Sequence, residues 1–235
     1  MNARRERASE PSSRRERPSK PALSQRWIVD AAVRIMRAEG LEKVTMRRLA
    51  QELDTGPASL YVYVANTAEL HAAVLDALLG EVDLASEETE GDWREQLVAV
   101  LTSYTLMLFR HPQLARSALV ARPSGENYLR LVDRLLILLA RSGADRAQVA
   151  WGVDKLLQEA TATAAEQSTH EYDPTAGDDW DALTRALDAV DEKTHPGISA
   201  HMPDLISGSA EARMSWAFQS LINGILGTPV PPSST

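Results

Sequence analysis

The 235-residue chain contains no cysteine. That excludes disulfides, thiolate nucleophiles and any zinc or iron–sulfur site built on sulfur ligands. It has no run of 18 or more apolar residues, and the stretch 135–140 falls far short of a bilayer's width, so no membrane span is expected. The arginine-rich stretch 1–20 has no apolar core behind it and is not read as a secretory signal. With nothing pointing to an oxidising compartment, a cytoplasmic location is expected. Aromatic residues make up only 5% of the chain, while Ala, Leu, Arg and Glu are plentiful, which favours helix over sheet. The Gly-x-Ser-x-Gly, Gly-x-x-x-x-Gly-Lys and Gly-x-Gly-x-x-Gly patterns are all missing, so neither an enzyme nor a bound cofactor is expected. Glu192 and His195 have the spacing of a di-iron ligand pair, but no second copy exists. Glu166 and His170 form only an isolated i,i+4 pair. No metal is therefore expected.

The chain does carry an uneven charge. Its net charge of −8 conceals a balance of +4 over residues 1–70 (13 basic, 9 acidic) and −12 over 71–235 (12 basic, 24 acidic). An acidic body repels nucleic acid and a basic head attracts it, so any DNA contact falls to the N-terminal part. Residues 1–22 are polar and broken by proline, and read as a disordered basic arm that either stays solvated or tracks DNA.

Helix signals then follow one another. Ser24 caps a helix that ends at Gly40, and Leu23 with Ile28 form a hydrophobic staple. Thr45 caps a second, with Met46, Leu49, Ala50 and Leu53 on its apolar side. Pro57 opens a short third over 57–64, and Asn66 with Glu69 starts a fourth that runs to about Leu84. Further helices are expected over 93–109, 113–121, 126–141, 146–167, 179–193 and 210–226, with 195–203 irregular. No stretch shows sustained period-2 alternation, so the fold class is all-α.

Residues 45–64 read as a helix-turn-helix, two short helices joined by a tight turn containing Gly56. Leu60 and Val64 face inward, which leaves Pro57, Ala58, Ser59, Tyr61, Val62 and Tyr63 partly outward. Small side chains let the backbone approach a duplex. Tyrosine offers a hydroxyl to phosphate and a ring to a thymine methyl, and Arg47 can reach a guanine edge or a phosphate. An ordinary three-helix subdomain with exposed tyrosines is the competing reading.

The stretch Gly40-Leu41-Glu42-Lys43-Val44-Thr45-Met46-Arg47-Arg48-Leu49-Ala50, continuing through Gly56-Pro57-Ala58-Ser59-Leu60-Tyr61-Val62-Tyr63-Val64, resembles the DNA-binding domain of the tetracycline-repressor (TetR) family. The resemblance covers roughly residues 24–70. It implies that Thr45 caps helix 2 and touches phosphate, that Arg47 reads base or phosphate, and that Pro57, Ala58 and Ser59 face the major groove. It also implies a phosphate-binding role for Tyr61, and for Tyr63 the place of a DNA-reading His or aromatic residue. Two departures stand out: Asp54-Thr55 replaces the usual Gly-Val, and Thr67 stands where a phosphate-binding Lys is common. Arg48 or the basic arm is expected to compensate for that missing ammonium.

Four segments are expected: the arm (1–22) and a disordered tail (229–235) from composition, and, as the resemblance implies, a helix-turn-helix domain (23–70) and a helical ligand-binding and dimerisation domain (71–228). The expected function is a homodimeric repressor that binds a double-stranded DNA operator and is released by a small-molecule effector. Two apolar stripes are assigned to the dimer interface. One is Ala210, Met214, Ala217, Phe218, Leu221, Ile222 and Ile225; the other is Val149, Val153, Leu156, Leu157, Ala160 and Ala164. Polar or aromatic groups on the apolar central helices nominate Tyr104, Met107, Arg122, Asn127, Tyr128, Trp151, Asp154 and Gln158 as effector contacts. The alternative from another class is a helical ligand-binding or scaffold protein whose head no longer binds DNA.

Overall fold

The computed structural model describes residues 23–84, 91–120, 123–172 and 176–232. The arm 1–22, residues 85–90, Arg122 and the end of the tail lie outside the described residues. Among those described, all regular structure is helical.

The head is built from local signals. Helix α1 (Gln25–Glu39) begins where Ser24 Oγ accepts from Trp27 N at 3.2 Å, and it ends at Gly40, whose φ of +94° suits a residue without Cβ. One 3₁₀ turn (Leu41–Lys43) leads to α2 (Met46–Glu52), capped by Thr45 Oγ1 accepting from Arg48 N at 3.2 Å. Asp54 takes a positive φ of 46° in the turn to α3 (Pro57–Leu60), a conformation that Asp tolerates better than most residues, which accommodates the departure from Gly. Helix α3 is one turn long rather than extending to Val64, although Val64 N still donates to Leu60 O at 3.0 Å. Helix α4 (Thr67–Leu79) is capped by Asn66 Oδ1, which accepts from Glu69 N at 2.9 Å. It stops at Gly80, short of the expected Leu84.

The body comprises α5 (Trp93–Phe109), α6 (Pro112–Val120), α7 (Glu126–Ala140), α8 (Arg146–Tyr172), α9 (Ala176–Asp188), α10 (Pro196–Leu205) and α11 (Ala210–Gly227). Residues 196–205 are helical, not irregular. Pro196 sits in the first turn, where no amide hydrogen is needed, and Pro203 interrupts only the last one. Helix α8 is central and packs against α5, α6, α7 and α11. Gly152 permits the α8–α11 approach, since a Cβ there would stand 2.8 Å from Ile225 Cγ2. Gln148 Nε2 closes the end of α11 by donating to the carbonyls of Ile225 and Thr228, each at 3.1 Å.

One hydrophobic core runs from Ile28 in the head to Ile222 in α11, with α4 packed on both α1 and α7. This overturns one interface assignment. Val149, Val153, Leu156, Leu157, Ala160 and Ala164 are buried within the same chain and form the α8 side of its own core. On α11, Phe218 and Ile222 are likewise buried, Met214, Ala217, Leu221 and Ile225 are half-buried, and Ala210 is exposed. An apolar stripe that suits a partner suits a neighbouring helix of the same chain equally well.

Candidate DNA interface and body cavity

Leu60, fully buried, and Val64 anchor α3 to the head, so the residues between and before them must turn outward. Pro57, Ala58 and Ser59 are exposed, and Tyr61 is 53% exposed. Thr45 and Arg47 are exposed at the start of α2, and Thr67 at the start of α4. Arg47 makes no ion pair among the described residues. Val62, expected to lie outward but not assigned to DNA, is 81% exposed beside Tyr61. An apolar side chain left that open in a tight turn is suited to contact with a thymine methyl, and the inward spacing of Leu60 and Val64 already implied it.

Two of the predicted DNA-facing residues are engaged elsewhere. Arg48 is a brace within the head. Its Nε lies 3.1 Å from Glu39 Oε1 and its Nη1 lies 3.0 Å from Glu52 Oε2, tying the end of α1 to α2. The hydrogen bond from Arg48 holds the Glu39 carboxyl below its ordinary range, and the same pairing raises the guanidinium further above its own. Arg48 is therefore not a free substitute for the missing lysine. Tyr63 is half-buried, and its hydroxyl donates to Leu23 O at 2.8 Å, pinning the entry to α1. Its donor serves the fold rather than a phosphate. Tyr63→Phe is expected to lower unfolding stability by about 1 kcal/mol, read from denaturant midpoints, because one partly buried hydrogen bond is lost.

In the body, a cavity of about 420 Å³ opens between α5, α6, α7 and α8. Four predicted effector contacts line it: Tyr104, Tyr128, Asp154 and Gln158. Thr161 donates to Leu157 O at 2.8 Å, so Tyr104 OH, 2.8 Å from Thr161 Oγ1, is the donor in that pair and keeps its lone pairs for an incoming group. Burial pushes the Tyr104 phenol up to about 12, so it is neutral at physiological pH. Asp154 and Gln158 pair at the rim, Gln158 Nε2 donating at 2.7 Å.

The other four nominations stand apart. Met107 is buried and borders a different hollow beside Ser103 and Arg110. The Asn127 side chain is held by the Asp76 carbonyl at 2.9 Å. Trp151 points away from the cavity; it is 61% exposed and lines a groove of about 740 Å³ between α8 and α11. Although an aromatic on an apolar helix, it lies on the face opposite the core stripe. Arg122 lies outside the described residues. Among the described residues, no group of three His, Asp or Glu side chains is placed to hold a metal, and no helix is long and apolar enough to cross a membrane.

A capped three-helix head with an outward-facing second helix-turn-helix element, set on an all-helical body with its own cavity, defines the class of helix-turn-helix DNA-binding regulators. The comparisons make it specific. Residues 28–74 match the family model of bacterial regulatory proteins of the tetR family, and residues 85–228 match the tetracyclin repressor-like C-terminal domain. The chain belongs to the TetR family of transcriptional regulators. Among solved structures it is similar to SCO7704, a candidate transcription regulator from Streptomyces coelicolor, at 73% identity over 92% of this chain and 100% of that one, with a TM-score of 0.73. It is also similar to ActR of Streptomyces coelicolor in complex with actinorhodin, at 35% identity over 88% and 96% of the two chains, with a TM-score of 0.78. A curated relative, an HTH-type transcriptional regulator of Saccharopolyspora erythraea, is 29% identical over 89% of this chain and 87% of its own length.

Proposed function

We propose that the chain is a homodimeric repressor. Two copies of α2–α3 read a palindromic operator, and a small molecule entering the cavity beside Tyr104 and Tyr128 releases it. The observation that carries this reading is the outward row of Arg47, Ser59 and Tyr61 on a head whose short helices are anchored by buried Leu49, Leu60 and Val64. One turn of helix reads few bases, so two heads roughly 34–36 Å apart are needed for a specific site.

Dimerisation through the outer faces of α8 and α11 is supported by two large aromatics left open on those helices, Trp151 at 61% and Trp216 at 73% exposure, and by the groove that Trp151 lines between them. The cavity volume suits a small organic ligand. The complex of ActR with actinorhodin supports effector control of this kind, without naming the effector here. Residues 23–70 read DNA, residues 71–228 sense and pair, and the basic segment 1–22 supplies further phosphate contacts in place of the missing lysine at Thr67.

The test is fluorescence anisotropy on the DNA upstream of the coding region, titrated across salt. Specific binding should fall steeply, with a log–log slope reflecting several neutralised phosphates per dimer. A flat plot, or no binding, would leave the alternative of a helical ligand-binding or scaffold protein.

A further inference from the structure

We propose a second ligand site, separate from the body cavity, at the junction of head and body, which takes a small anion (carboxylate or phosphate) carrying a short apolar chain. A cavity of about 460 Å³ lies between the end of α1 with its following 3₁₀ turn and the α5–α6 corner. Its floor is apolar and buried: Met36 and Leu41 from the head, Leu114 from the body. Its walls are basic, with Arg37 from the head and Arg110, His111 and Arg116 from the body.

The nearby carboxylates are already engaged. Glu81 pairs with Arg37, and Glu42 accepts from the Gln113 side chain. Arg110 and Arg116 have no ion-pair partner among the described residues. Two unpaired guanidiniums over an apolar floor match a carboxylate or phosphate head on an alkyl body, because the fork of a guanidinium fits either oxyanion.

His111 supplies an internal reporter. Half-buried between the two elements, it is held below its ordinary value by burial first and then by Arg37 and Arg110, against the opposing pull of Glu81. Glu42, Gln113 and Arg116 complete its charged and polar surroundings. An anion bound here favours the imidazolium, so binding and protonation of His111 reinforce each other. Because the walls belong to head and body alike, an occupant would also fix their relative orientation. That consequence rests on the repressor reading, whereas binding itself does not.

The experiment titrates the full chain with octanoate, octyl phosphate and octan-1-ol by calorimetry. At least one of the two anions should bind about tenfold more tightly than the alcohol, and the tighter one names the head group. The double variant Arg110→Gln/Arg116→Gln should lose that advantage while retaining its helical circular dichroism; both side chains are exposed. Ala162→Trp, which fills the body cavity, should leave anion binding intact. Octanoate should bind more tightly near about pH 6 than about pH 8, and His111→Asn should remove that difference. Anions binding no better than octan-1-ol, binding that survives the double arginine change, or binding abolished by Ala162→Trp would each overturn the site. Operator affinity is not read in any arm, so a failure here leaves the repressor proposal untouched.

Discussion

Arg47→Ala is expected to weaken operator binding on the order of a hundredfold without moving the thermal unfolding midpoint. Arg48→Ala should do the opposite. The two arginines are neighbours in sequence and chemically identical, but the structure gives them different partners. Arg47 is exposed with no ion pair among the described residues, whereas Arg48 bridges Glu39 and Glu52. A good arginine contact to a base edge is worth about 1–3 kcal/mol, and a homodimer loses two of them at once. Arg48→Ala removes a brace between α1 and α2, so it lowers the midpoint and leaves the salt slope of DNA binding where it was. Its effect has a pH signature. Hydrogen bonding from Arg48 depresses the Glu39 carboxyl in the folded state. The stability this contributes is present above the ordinary carboxylate range and is lost as pH falls through the depressed folded value. Parent and variant should therefore converge in acid. Equal loss of operator affinity in both variants would show that Arg48 leaves its carboxylates for DNA.

Most of the head was legible because its helix boundaries rest on local chemistry. Ser24, Thr45 and Asn66 each accept a hydrogen bond from an amide three residues on, and each announces this by residue type and position. What could not be read was set by contacts distant in sequence. The Arg48–Glu52 pair has i,i+4 spacing and was open to inspection, whereas the Arg48–Glu39 pair depends on how α1 crosses α2. The Leu23 carbonyl that takes the Tyr63 hydroxyl is 40 residues away. Helix α8 shows the limit most clearly. Its apolar spacing was correct, but periodicity identifies a buried face without saying what buries it, so the core stripe was assigned to a partner and Trp151 on the opposite face to the cavity. The cavity kept four of its eight predicted residues because Tyr104, Tyr128, Asp154 and Gln158 lie on the sides of α5, α7 and α8 that converge.

Gly125→Ala and Asp76→Ala are expected each to cost about 1–2 kcal/mol, and the double variant to cost no more than either alone. Gly125 precedes α7 with φ −80° and ψ 170°, a conformation open to any residue, so backbone strain is not the reason for glycine. Space is. A Cβ there would fall 2.1 Å from Asp76 Cγ. Asp76, on α4, caps the first turn of α7: its Oδ1 accepts from Tyr128 N at 3.0 Å and its Oδ2 from Asn127 N at 3.4 Å, while the Asp76 carbonyl accepts from Asn127 Nδ2 at 2.9 Å. Alanine at 125 must push the carboxylate off these amides, which is what removing the carboxylate does directly. Once Asp76 is alanine, the added methyl displaces nothing. A double-mutant cycle by chemical denaturation should therefore show strong non-additivity, and amide exchange at Asn127 and Tyr128 should quicken equally in all three variants. Additive losses would mean that the methyl is absorbed by a shift of the 123–125 turn, with the cap intact. The tie matters beyond stability because α4 carries the head and Tyr128 lines the cavity. A ligand that moves the first turn of α7 pulls on α4 through these three hydrogen bonds. If the cavity holds the effector, Asp76→Ala should bind DNA like the parent but respond to that effector less.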